Sequence, residues 1–166
     1  MYLLDLGLDH GTADGKQAGL LVLVQDDPDG GRPWVHVWDE YRPEAATAPD
    51  VDAVEVLAML ERHGWTWDQL DYAYGDRPVG SRDSADRKGN LDIEDAIVHE
   101  LKRRPGCKLR KRDDLKPRLM SAKRGQGAGN NTLDAGIVWL HRQLLTSDRF
   151  RIHPRCVNLI ASFKRW

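Results

Sequence analysis

The sequence predicts an α/β fold: a mixed sheet of three antiparallel strands, extended by parallel strands and flanked by helices. Three observations predict it. Three strand-like runs separated by short turns open the chain. Helical and strand-like segments then alternate. A length of 166 residues, 40% of them hydrophobic, fits one domain with its own core.

Tyr2–Asp9 is rich in leucine and runs into Gly11, so it reads as a buried strand. Ala18–Gln25 is a second apolar run, followed by the turn-dense DDPDGGRP. Trp34–Tyr41 alternates apolar and polar residues and is the third strand. After the loop at Pro43–Pro49, Asp50 or Asp52 caps a helix running to about His63, with Val54, Leu57, Ala58 and Leu60 turned inward. Leu70–Tyr74 is a fourth strand, expected to lie parallel to the first because it follows a helix. Arg77–Asn90 reads as a loop, and Asp92–Arg103 as an amphipathic helix with Ile93, Ala96, Ile97 and Leu101 on one face. Cys107–Arg112 is a candidate fifth strand. Lys123–Asn131 is a glycine-rich basic loop, Thr132–Leu145 a helix, Phe150–His153 a short extended piece, and Arg155–Lys164 a further helix or turn. The order βββ-α-β-α-β-α describes a ribonuclease H-like topology. The same order opens each lobe of actin-like ATPases, so it does not by itself choose a function.

Bulk composition narrows the classes. No apolar run reaches the length needed to span a bilayer, and Met1–Leu8 carries no basic leader ahead of its strand pattern. Cys107 and Cys156 stand far apart and outside any CxxC, so they read as reduced thiols. The net charge of −1 conceals a division: residues 1–100 hold 22 acidic and 8 basic residues, residues 101–166 hold 4 and 17. Within 101–124 there are 11 basic residues against 2 acidic ones. That asymmetry points to a polyanion-binding stretch beside a region able to hold cations; the alternative is mutual neutralisation across a surface.

Two residues carry the candidate chemistry. Asp9 ends the first strand in GLDHG and Asp76 ends the fourth in YGDRP. If those strands are parallel neighbours, both carboxylates reach one sheet edge, where open α/β sheets place their sites. Carboxylates so placed repel unless a cation lies between them, and hard oxygen donors suit Mg²⁺ or Mn²⁺. Either aspartate alone is equally a common turn residue. Glu40, at the end of the third strand, is an auxiliary ligand candidate, and Asp5, mid-strand, reads as structural. Lys108, Arg110, Lys111, Arg112, Lys116, Arg118, Lys123 and Arg124 together read as contacts to a DNA backbone; any one of them alone reads as a solvated surface charge. The loop Lys123–Asn131 lacks the spacing of a P-loop.

Four stretches resemble the nuclease domain of phage terminase large subunits. GLDHGTADGKQAGLLVLVQ resembles that family's first-strand acid and following hydrophobic strand, and DYAYGDRP its fourth-strand acid. KPRLMSAKRG with NNTLDAGIVWLHRQLL resembles its basic stretch and helix, and RIHPRCVNLIASFKRW a segment in which IHP is followed by a cysteine. The resemblance implies a Mg²⁺- or Mn²⁺-dependent endonuclease that holds two ions on Asp9 and Asp76. Its substrate would be double-stranded DNA, cut during viral genome packaging in the bacterial cytoplasm. Expected partners are a terminase ATPase domain, the small terminase subunit and the portal. Two departures accompany it. The family's third acid lies in a later helix, and this sequence reaches Trp166 before any such motif; no Walker A motif of the family's ATPase domain is present either. The expectation is a single ribonuclease H-like domain over 1–166, incomplete at its carboxyl end. The alternatives are a ribonuclease H-like module that binds DNA without cutting it and, less favoured, an actin-like ATPase lobe.

Overall fold

A computed structural model gives the structure of residues 2–10, 17–45, 47–75, 84–121 and 148–165. It is an α/β fold around a six-stranded mixed sheet. The strands are β1 (Tyr2–His10), β2 (Gln17–Gln25), β3 (Trp34–Tyr41), β4 (Tyr72–Gly75), β5 (Leu119–Ser121) and β6 (Phe150–Ile152), in the spatial order β5-β4-β1-β2-β3-β6. The first three form the expected antiparallel meander, β4 lies parallel to β1, and β5 and β6 extend the two edges in parallel.

Side chains alternate across a strand, and β1 shows it: Leu4, Leu6 and Leu8 are buried, while Asp5, Gly7 and Asp9 project from the other face. The leucine face packs on two helices, α1 (Pro49–Glu61) and α2 (Ser84–Lys102). Helix α1 buries Ala53, Val56, Leu57 and Leu60, spaced as one helical stripe. The stripe is rotated from the expected one: Val54 is exposed. Pro49 sits in the first turn, where its missing N–H costs nothing. The hydroxyl of Tyr41, at the end of β3, donates to Asp52 at 2.6 Å and anchors the start of the helix. Burial and that carboxylate push the Tyr41 hydroxyl up to about 12.

Two expectations are corrected here. The loop expected over Arg77–Asn90 is in part helix, because α2 begins at Ser84. Gly89-Asn90 reads as a break, but one glycine costs only about 1 kcal/mol inside a helix, less than the apolar face of Ile93, Ile97 and Val98 returns. Cys107–Arg112 is not a strand. The Asp114 carboxylate accepts the backbone N–H groups of Arg110 and Lys111 at 2.8 and 3.0 Å, and Lys102 Nζ donates to the Arg110 carbonyl at 2.6 Å. Side chains thus take the backbone groups a ladder would use. The strand beside β4 is Leu119–Ser121 instead.

The helix Thr132–Leu145 expected from the sequence lies outside the described residues. Phe150–Ile152 is extended as expected, and its pairing with β3 leads into α3 (Val157–Lys164). Both cysteines are free thiols. No helix among the described residues is long and apolar enough to cross a membrane.

Candidate functional site

The carboxyl ends of three parallel strands define the candidate site. Leu8 of β1 pairs with Gly75 of β4, and Gly75 pairs with Ser121 of β5. Neighbouring strands lie about 4.8 Å apart, so these three positions stand abreast within about 10 Å. The residue after Leu8 is Asp9, which is exposed on the face opposite the helices. The residue after Gly75 is Asp76, and those shortly after Ser121 include Lys123 and Arg124; these three lie outside the described residues.

A divalent ion suits this edge in two respects. Asp9 offers hard carboxylate oxygens, and its exposure leaves room for the waters that Mg²⁺ retains. Among the described residues no group of three or more acidic, histidine or cysteine side chains is placed to hold a metal.

Asp5 shares the face of Asp9 but lies four residues earlier, about 13 Å along the strand, beyond any common ion. Its Oδ1 is buried without a hydrogen-bond partner among the described residues. Burial, with the nearby charge of Asp71, raises its pKa above the usual carboxylate value, while the N–H of Tyr72 works in the opposite direction. A carboxyl group whose folded value is raised stabilises the fold when protonated. That contribution is complete below about pH 3.8 and disappears as pH rises through the raised value. Asp5→Asn is therefore expected to raise Tm at pH 7 by about 2–4 °C, corresponding to about 1 kcal/mol, with a smaller gain at pH 4. Thermal melts of both proteins at the two pH values measure this.

The basic set divides around β5. Lys108, Arg110, Lys111, Arg112, Lys116 and Arg118 precede β5 and approach its amino end, on the opposite side of the sheet from Asp9. Lys108, Arg110, Lys111 and Lys116 are exposed. Arg118 is engaged within the fold. Its Nε and Nη2 donate to the two oxygens of Glu94, each at 2.8 Å, and its Nη1 donates to Asp113 at 3.1 Å. Arg112 pairs with Asp95 at 3.1 Å.

Glu94 itself escapes sequence reading. It is 2% exposed, next to Ile93 on the core side of α2, and also accepts the N–H of Leu119 at 2.8 Å. One carboxylate therefore fixes α2, Arg118 and the start of β5. Its only sequence signal is an acid beside the apolar stripe of an amphipathic helix.

Glu40 has a task other than the metal role weighed for it. Its two oxygens accept the N–H groups of Asn158 and Leu159 at 2.7 and 2.9 Å, capping the first turn of α3. Glu40→Ala is expected to cost about 1 kcal/mol, read as a lower midpoint in urea unfolding.

Asp39, next to it and 4% exposed, accepts from His63 Nε2 at 2.9 Å and pairs with Arg62 at 3.3 Å. Trp38 Nε1 donates to His63 Nδ1 at 3.2 Å, so the imidazole proton sits on Nε2, facing the carboxylate. The nearby thiol of Cys156 is buried and pushed up to about 11, chiefly by that burial. A buried thiol of that kind is inert, and the cluster fastens the end of α1 to β3.

Fold and site together define an α/β protein with a mixed sheet and an exposed aspartate, Asp9, near the carboxyl end of its first strand. No protein-family model, curated protein or solved structure matches the chain.

Proposed function

We propose that this protein has a ribonuclease H-like fold and is a metal-dependent endonuclease that cleaves double-stranded DNA, of the kind used in viral genome packaging. The observation that carries the reading is the register: Leu8 and Gly75 are paired on adjacent parallel strands, and in the sequence each is followed by an aspartate. The strand order, with β4 beside β1 and β5 beyond it, is the arrangement a ribonuclease H-like sheet requires.

Asp9 and Asp76 would hold the ions. The chemistry supplied with two Mg²⁺ or Mn²⁺ ions bound is activation of a water and stabilisation of charge on the leaving oxygen of the phosphodiester. The protein's own part would be to keep the two carboxylates close together, so that their repulsion favours cation binding. Lys123 and Arg124, which follow β5 in the sequence, would contact the phosphate backbone. Lys108, Arg110, Lys111 and Lys116 would extend that contact to the far side of β5, without sequence preference. The packaging role and the partners it implies rest on the resemblance to terminase nuclease domains.

The test is nicking of supercoiled plasmid in Mn²⁺, with Asp9→Ala and Asp76→Ala as comparisons. Cleavage that depends on both aspartates supports the reading. Salt-sensitive DNA binding without cleavage would identify a non-cutting DNA-binding module instead.

A further inference from the structure

The amino ends of β4 and β5 carry a second feature that a DNA-backbone contact leaves unexplained. Between the turn at Trp67–Gln69, the end of α2 and the segment leading to β5 lies a pocket of about 410 Å³. Its apolar wall is formed by Leu101, Pro105, Leu109 and Leu115. Leu115 belongs to the core, and Leu101 and Leu109 pack against it. Lys108 and Lys116 also line the pocket, and among the described residues neither has an ionic or hydrogen-bond partner.

The acids nearby offset these lysines only in part. Asp114 is turned to the N–H groups of Arg110 and Lys111, which hold its carboxyl below the usual range. Asp68 also lines the pocket and is exposed. Arg104, on the same wall, is paired with Glu61 at 2.6 Å. The stretch 101–118, which leads past the pocket to β5, holds nine basic and two acidic residues.

We propose that this pocket docks an acidic peptide segment of a partner protein: one large aliphatic side chain enters the pocket, and flanking carboxylates pair with Lys108 and Lys116. The wall chemistry selects this occupant. A nucleobase binds by stacking on an exposed ring, and the one ring here, Trp67, is 2% exposed. An aliphatic side chain needs no such platform and gains from leaving water. Charge complementarity supplies the rest, since a carboxylate beside the anchor meets an exposed ammonium. The site lies at the other end of the parallel strands from Asp9, so the proposal does not depend on cleavage there; it gives Lys108 and Lys116 to a peptide instead of to the DNA backbone.

Cys107 lines the pocket and reports on its occupancy, because the other cysteine, Cys156, is fully buried. The experiment uses the full chain and three probes: a labelled decapeptide of aspartate and glutamate with one central leucine, the same peptide with alanine there, and a 20-base-pair duplex. Binding is read by fluorescence anisotropy, and pocket occupancy by the rate of Cys107 alkylation with iodoacetamide. The leucine peptide is expected to bind about tenfold tighter than the alanine peptide and to slow alkylation at least fivefold. The double variant Lys108→Glu/Lys116→Glu, both positions exposed, is expected to lose both effects. Equal binding of the two peptides overturns the proposal. So does duplex DNA that protects Cys107 as well as the leucine peptide does, since the segment would then be a nucleic-acid contact.

Discussion

Asp9→Ala and Asp76→Ala are each expected to reduce Mn²⁺-dependent plasmid nicking by about 10³-fold, the scale of losing a charged group that stabilises a phosphoryl transition state. The effect follows from charge. Two carboxylates at one sheet edge attract a divalent ion more strongly than one does, and with one removed the remaining ligand must compete with water. Asp9→Asn is expected to be nearly as impaired, because the amide keeps the shape but not the charge. Asp9 is exposed, so its truncation leaves the β1 ladder and the leucine face beneath it in place, and thermal stability is expected to change little. Asp5→Asn is the internal control. It lies on the same face but about 13 Å away, and is expected to keep full nicking activity while melting at a higher temperature. Activity retained in both Asp9→Ala and Asp76→Ala would exclude metal-assisted cleavage at this edge.

The parts of the fold that sequence reveals are those set by local periodicity. Trp34–Tyr41 alternates, Tyr2–His10 and Gln17–Gln25 are apolar runs, and short turns force these three into a meander. The position of Asp9 follows directly, since it lies one residue from the end of a strand whose limits are nearly legible. The segments misread are those in which a distant or unusual partner decides. Cys107–Arg112 has strand-like alternation, yet Asp114 and Lys102 take its backbone groups. The rotation of α1 that exposes Val54 accompanies its packing beside α2 and β3, which no local pattern encodes. Glu40 looked like a free acid at a strand end because the helix it caps lies 118 residues later in the chain. Arg112 and Arg118 looked like members of a uniform basic stripe because their acidic partners belong to α2.

That last difference has the largest consequence for stability. Arg118→Ala is expected to destabilise the fold by about 3–5 kcal/mol, whereas Lys108→Ala and Lys111→Ala are expected to change stability by less than about 0.5 kcal/mol. Removing the guanidinium leaves Glu94, 2% exposed, with the N–H of Leu119 at 2.8 Å and, among the described residues, the more distant Arg112 Nε at 3.9 Å. A buried carboxylate that has lost its two close guanidinium hydrogen bonds is only weakly compensated for its desolvation, or binds a proton. Glu94→Gln is the milder change: the amide oxygen still accepts from Leu119, and Arg118, whose side chain is 40% exposed, turns to water and Asp113. Urea unfolding of the three single variants, with the double variant Glu94→Gln/Arg118→Ala, separates pair energy from desolvation. The double variant is expected to be more stable than Arg118→Ala alone, since it carries no buried charge. A single variant Arg118→Ala as stable as the wild type would refute the pairing. It would also return Arg118 to the exposed basic set, and the loss of DNA affinity on its removal would then be read as a lost phosphate contact rather than a lost fold.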